Sequence, residues 1–304
     1  MPMMSFLNRA IIQFSPILFP LLWSTGFIGA KYGLPYIQPF SFLALRFLLV
    51  LILFGGIILL LRPPMPKNLS VVKAVFISGL LIHGIYLGGV FVSIKLGMPA
   101  GIAAVIVGAQ PVLTVLLANR LSSIKLLLVA LLGFVGLLMV LSVESSVDDK
   151  PLVLLTYLPV ILSLLAITYG TIYQKKYCAG VHIISQAFLQ YIPTGILFLL
   201  AALIFESSSF TSIVWHIDLF FALFWLAIVL SIGAVLLMSV LYQNNSANVA
   251  ASYFYLSPPC TLIIAYFLFD EQLTLLNLLG ICLVVLSVYL TTVLNKKIMA
   301  NIKK

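Results

Sequence analysis

Residues 41–54 read SFLALRFLLVLILF: thirteen residues suited to an oily environment and one arginine, Arg46. A helix crossing the ~30 Å hydrocarbon core of a bilayer needs about 20 mostly apolar residues, and this run extends to 40–61. The same ruler laid along the chain gives ten segments: 14–34, 40–61, 71–95, 99–119, 124–143, 152–174, 183–205, 217–242, 247–269 and 273–294. Short polar breaks divide them, among them RPPMPKN (62–68), VESSVDDKP (143–151) and FESSSFTS (205–212). The 304 residues are 63% hydrophobic and 8% charged, with a mean hydropathy of +1.25. A soluble domain carries about 25% charged residues, so this composition cannot cover a surface in water. The expected class is an all-α integral membrane protein. The apolar run near the N-terminus is longer than a signal-peptide core and lacks a small-residue cleavage site, so it reads as a retained first span.

Charge sets the expected orientation, because cytoplasmic loops collect Lys and Arg. With the N-terminus inside, the inner loops and tails hold Arg9, Arg62, Lys67, Lys73, Arg120, Lys125, Lys175, Lys176, Lys296, Lys297, Lys303 and Lys304. All seven acids (Glu144, Asp148, Asp149, Glu206, Asp218, Asp270, Glu271) then fall outside. Both termini are expected in the cytoplasm, and the net charge of +9 reads as a topology signal, not a nucleic-acid footprint. Cys178, Cys260 and Cys282 have no metal-ligand spacing and read as small packing residues. No metal or cofactor is expected.

The chain also matches itself. At a shift of 144, Ser24 falls on Thr168, Gly26 on Gly170, Lys31 on Lys175, Ser41 on Ser185, and ILF 52–54 on ILF 196–198. At 147, Ala103 and Ala104 fall on Ala250 and Ala251, Pro111 on Pro258, Thr114 on Thr261, and Gly133 on Gly280. Two repeats follow, 1–147 (spans one to five) and 148–304 (spans six to ten). Five is odd, so the second repeat enters the membrane from the opposite side. The expected architecture is ten transmembrane helices as two inverted five-helix repeats around a central cavity, the plan of secondary transporters with a midplane substrate site.

WSTGFIGAK in the first span, LRF in the second, GMPAGIAAVIVGAQP into the fourth, and ANVAASYFYLSPP with FDEQLT and LLG across the last two resemble EamA-type carriers of the drug/metabolite transporter superfamily. The resemblance runs over nearly the whole chain as two tandem copies. It implies a ten-helix carrier of amino acids, amino-acid metabolites, nucleobases or other small metabolites, often directed outward, with the fifth helix of each repeat at the periphery. One departure is NRLSS (119–123) after the fourth span, where the family often carries an acid; the second copy keeps it as Glu271.

Within the spans, Pro111 and the pair Pro258–Pro259 remove helix donors and free carbonyls, which a membrane tolerates where backbone is buried or lines a wet cavity. They are hinge candidates. Gln110, Thr114, Tyr253, Tyr255 and Ser257 lie within about a turn of them. His83 is the histidine well inside a span, with Tyr86 one turn on the same face; an intramembrane ionisable group is a functional hypothesis by default. Trp23 offers a flat face, and Trp23 and Ser24 lie opposite their repeat mates Ile167 and Thr168, with Tyr169 next to them. Packing is the bland alternative for each. Arg46 reads two ways, as a structural anchor held by outer-side carbonyls of discontinuous helices or, by snorkelling, by headgroups, or as an outer-gate cation meeting a substrate carboxylate, and its mate Gln190 is polar too. Gly133 and Gly136 in the fifth span suit packing or a weak dimer contact.

No Asp or Glu lies in the interior of a span, Asp218 standing at the outer end of the eighth, which argues against a carboxylate proton relay. An intramembrane enzyme would need a nucleophile and base or metal ligands facing one another, and neither G-x-S-x-G nor H-E-x-x-H occurs. The leading expectation is therefore a secondary transporter, not an enzyme. It would move amino acids or their derivatives, foremost outward, across the inner membrane by alternating access. The alternative is a flippase for a lipid or lipid-linked sugar. Expected partners are a small-molecule substrate and membrane lipids, without nucleic acid, the chain being a monomer or weak homodimer.

Overall fold

The computed structural model describes residues 2–98, 100–118, 124–141, 154–206, 210–260, 263–264 and 274–302, and all regular structure among them is helical. The helices are α1 (Pro2–Gly33), α2 (Pro39–Leu61), α3 (Leu69–Lys95), α4 (Ala100–Gly108), α5 (Gln110–Ala118), α6 (Ile124–Leu141), α7 (Leu154–Tyr177), α8 (Ile183–Phe205), α9 (Ile217–Asn244), α10 (Ala247–Ser252) and α11 (Leu275–Ile302). Six are long and apolar enough to cross a membrane, and three shorter apolar stretches join them at Ile11–Gly26, Ile102–Leu117 and Ile124–Val140. The molecule is a multi-pass membrane protein. The ninth expected span is described to Cys260 and at 263–264.

Local chemistry sets the helix ends. Pro39 opens α2 after extended Gln38, and α2 stops at Arg62, whose left-handed φ of 46° turns the chain into Pro63 and Pro64. Asn68 caps α3 by accepting from Ser70 N at 2.8 Å, and Ser246 caps α10 by accepting from Val249 N. Pro16 sits inside α1 without a donor for the carbonyl four residues back, and Ser15 Oγ supplies one, donating to Ile12 O at 3.0 Å. The helix breaks at Ala109, between α4 and α5, where Pro111 lacks the donor that would continue it. A tighter 3₁₀ turn, Tyr253–Leu256, comes just before Pro258 and Pro259.

Helix packing relies on close approach, since lipid tails give apolar side chains no reason to leave them. The strongest pairings are α6 with α11, α2 with α8, and α3 with α7. In the first, a Cβ on Gly136 would stand 2.8 Å from Gly280 O, and one on Gly280 would stand 2.7 Å from Gly136 O. Gly133 faces the same way, against Ser287 and Tyr255. Both glycines are thus spent on packing within one chain, which corrects the dimer-contact option for them.

Two helices leave α geometry midway. α3 is π-helical over Leu80–Ile85 and α9 over Trp225–Ala234. A π turn inserts an extra residue, and such bulges concentrate at functional sites. In α9 the widened turn is closed by Ser231 Oγ, which donates to Leu226 O at 2.9 Å.

Hydrogen bonds between helix ends define two faces. At one face α1 and α3 end and α2 and α9 begin: Lys95 Nζ donates to Leu34 O at 2.9 Å, and Val214 N to Tyr36 O at 3.0 Å. Glu206, at the end of α8, caps the start of α2 there, accepting from Phe40 N and Ser41 N. At the other face Ser185 Oγ donates to Pro64 O at 3.0 Å, and Lys175 Nζ donates to Tyr242 O. Arg62, Lys67, Lys73, Lys175 and Lys176 belong to the ends that meet at this second, basic face.

Candidate functional site

A narrow cavity of about 30 Å³, room for little more than a water molecule, lies among α1, α2, α3 and α9. Trp23, Gly26, Ala30, Arg46, His83, Tyr86, Leu87, Val90, Phe91, Leu230 and Val235 line it. Both π-helical segments reach it, through His83 and Leu230.

Arg46 is 3% exposed. Its Nε and Nη2 both donate to Ser231 Oγ, at 3.2 and 3.0 Å, and its guanidinium carbon stands 5.7 Å from the Phe47 ring centre. Ser231 lies midway along α9, so the side chain reaches into the bundle and not toward headgroups. That corrects the headgroup option for Arg46, which is held within the bundle by Ser231. Ser231 O in turn accepts from Tyr191 Oη at 2.6 Å, which fixes the bulge against α8. The described acids lie at helix termini, Glu206 closing α8 and Asp218 in the first turn of α9. Among the described residues the one ion pair is His216 with Asp218, so no described carboxylate neutralises Arg46. A buried cation without a counter-charge is costly, and a guanidinium has five donors to satisfy.

His83 is 2% exposed, and its ring centre lies 5.0 Å from that of Tyr191 and 6.3 Å from that of Phe47. Its Nε2 is buried, and its side chain meets that of Gln190. Tyr86 stacks on Trp23, ring centres 6.2 Å apart and planes 12° from parallel. Trp23 is itself held edge-on by Phe254 at 5.3 Å. The cavity therefore offers a cation and an imidazole at one wall and two parallel aromatic faces at another.

The structure brings Trp23, Arg46, His83 and Tyr86 together. Ser24 is buried next to Trp23 and donates to Leu21 O at 2.7 Å. Thr168 and Thr114 likewise spend their hydroxyls on backbone, donating to Leu164 O and Gln110 O. Gln190 lies behind His83 and donates through Nε2 to Ser78 Oγ and Gln174 Oε1, each at 2.9 Å. Gln110 Nε2 donates to Thr171 Oγ1 and Tyr242 Oη, at 3.4 and 3.3 Å, off the cavity. Tyr253 is half-buried and Ser257 buried on the 3₁₀ turn and its continuation. None of these other candidates lines the cavity, and neither do two more. Tyr169 is 56% exposed, in line with exposed Leu158, Leu162 and Leu165 on the outside of α7. Tyr255 Oη donates to Ala130 O at 2.6 Å and its ring fills the space at Gly133, so it cements the peripheral helix pair. Ser231 and Tyr191 were missed. Each is a hydroxyl in an apolar run, and such residues are too common in spans to single out without the π bulge.

Comparison with known proteins places these features in a lineage. The model of the EamA-like transporter family matches residues 10–143 and again 154–293. The chain is 27% identical over 289 residues to a protein of Escherichia coli (strain K12) named "Probable amino-acid metabolite efflux pump", covering 90% of this chain and 92% of that one. It is 25% identical over 275 residues to "Uncharacterized inner membrane transporter YedA" of the same strain, covering 90% and 87%. It is 26% identical over 284 residues to "Uncharacterized transporter YvbV" of Bacillus subtilis (strain 168), covering 91% and 90%. One crystal structure shares the fold with a TM-score of 0.74 at 19% identity, over 94% of this chain and 98% of that chain.

Proposed function

The chain belongs to the EamA-like transporter family, a family of membrane transporters and not of enzymes, and from that premise we propose that it carries amino acids or their derivatives outward across the inner membrane by alternating access. The observation that carries the substrate class is Arg46: a buried cation in an internal cavity, with no described carboxylate to neutralise it. A solute carboxylate supplies the missing charge and takes the bidentate geometry a guanidinium prefers. Trp23 and Tyr86 then face the side chain of the solute, and His83 takes a polar group of it. The outward direction follows the name of the E. coli relative, an efflux pump.

The reading includes ten spans in two inverted repeats, 1–147 and 148–304. Three features support it. The shift of 147 carries Leu80–Ile85 onto 227–232, inside the π-helical part of α9. Helix breaks precede Pro111 and Pro258 alike, which suits hinges at both. Ser41 and its mate Ser185 each tie α2 to α8, at opposite faces. With the basic face inside, both termini are cytoplasmic.

Counterflow in proteoliposomes tests the proposal, with labelled amino acids, their carboxamides, nucleobases and a lipid analogue. Amino acids exchange, carboxamides do not, and Arg46→Gln abolishes exchange while the protein stays monodisperse. Exchange that survives Arg46→Gln removes the carboxylate anchor, and movement of the lipid analogue alone makes the protein a flippase.

A further inference from the structure

A second, roomier pocket of about 260 Å³ opens at the basic face, where α7 and α9 end and α8 begins. Lys175, Cys178, Ala179, Gln186 and Gln243 are among its walls, and Gln174 lies at its inner side. Lys175 Nζ donates to Tyr242 O and Gln243 O, the open carbonyls that end α9. An ammonium has three hydrogens, so one remains for a guest. Gln186 is 1% exposed, and its Nε2 has no hydrogen-bond partner.

Between this pocket and the Arg46 cavity stand Gln174 and Gln190. Gln190 spends its amide hydrogens on Gln174 and Ser78. Beyond it comes His83, whose side chain meets that of Gln190. Buried polar groups thus mark a line from the basic face to the central cavity, from Gln186 through Gln174 and Gln190 to His83, with Gln186 Nε2 the unpartnered atom at the pocket. Buried polar atoms are nearly always partnered in folded proteins, so an unpartnered amide on a pocket wall points to a guest.

We propose that the pocket at the basic face is a second binding site, in which Lys175 and Gln186 hold the carboxylate of a solute before it passes Gln174 and Gln190 to Arg46. Both free groups are donors, which selects an anionic or acceptor-rich end of the guest. The inference rests on the reading of the chain as a carrier of carboxylate solutes.

Cys178 gives the test. The chain has three cysteines, and Cys260→Ser with Cys282→Ser leaves Cys178 as the sole thiol, on the pocket wall. Its modification by a thiol reagent is followed in purified full-length protein, with and without the amino acid that exchanges best in counterflow. Where Cys178 reacts too slowly to follow, Ala179→Cys with Cys178→Ser puts the thiol at an exposed position of the same wall. The solute slows modification, and slows it equally when Arg46→Gln is added. Lys175→Met raises the half-protecting concentration about tenfold, the worth of one charge-assisted hydrogen bond, and Gln186→Leu raises it less. Protection that disappears with Arg46→Gln and survives Lys175→Met comes from the central site, and overturns the proposal. So does exchange in counterflow with no protection of either thiol. Absence of any counterflow in the unmodified chain is a failure of the carrier reading, a separate result.

Discussion

Glu206 does for α2 what no residue of α2 does for itself. Gln38 precedes that helix without a capping side-chain bond, which leaves first-turn N–H groups to be satisfied from outside. Glu206 reaches across from the end of α8: Oε1 accepts from Phe40 N at 2.7 Å, Oε2 from Ser41 N at 2.9 Å, and Oε2 also from Ser41 Oγ. Removing a side-chain N-cap costs about 1 kcal/mol, and loss of a negative charge at a helix N-terminus adds about 0.3–1 kcal/mol. Glu206→Ala, which also orphans the Ser41 hydroxyl, therefore costs about 2 kcal/mol. Glu206→Gln keeps one acceptor and costs about half of that. Thermal unfolding in detergent, followed by loss of monodisperse protein, reads both, with the order wild type, Glu206→Gln, Glu206→Ala. Ser41→Ala combined with Glu206→Ala costs less than the two changes summed, because they share a bond. A Glu206→Ala protein as stable as wild type, or full additivity with Ser41→Ala, refutes the cap.

Further expectations concern separate contacts. Ser231→Ala removes the side chain that holds Arg46 and weakens amino-acid exchange by about tenfold in apparent affinity, read as KM in counterflow. Gly136→Leu drives a side chain into Gly280 and abolishes recovery of folded protein. Gly55→Ala, with nothing within 4 Å of its added carbon, stabilises α2 by up to about 1 kcal/mol, read as a higher melting midpoint. The Tyr36 phenol, outside the spans, donates to Asp218 Oδ2 at 3.0 Å, which raises its pKa above the ordinary 10.0. The neutral form is the one favoured, so the tie is present below pH 10 and is lost as pH rises through the raised value. A difference absorbance titration of wild type against Tyr36→Phe shows one phenol ionising late.

The membrane class was legible because it rests on composition, and the main apolar runs because they rest on a length any bilayer imposes. Arg46, His83, Trp23 and Tyr86 were legible as exceptions: a charge, an imidazole and large polar-edged rings inside segments with no solvent to excuse them. Tyr169 was misread because matching the first repeat beside Thr168 does not say which face of α7 meets lipid. Tyr255 was misread because nearness in sequence to Pro258 says nothing about the α6–α11 groove its ring enters. Gln174 and Gln186 fell outside attention because each stands near a helix end, where a polar residue is ordinary.

What the sequence determined by itself was the solvent: an 8% charged chain must live in lipid, and its few charges must then sit at the ends or be paid for. What the tertiary structure decided was which polar groups meet. Ser231 reaches Arg46 because a π bulge turns it inward, and Gln190 stands between two cavities because α8 packs against α3. Those pairings depend on helix rotation and on a one-residue change of turn, and neither leaves a periodic mark in an apolar run.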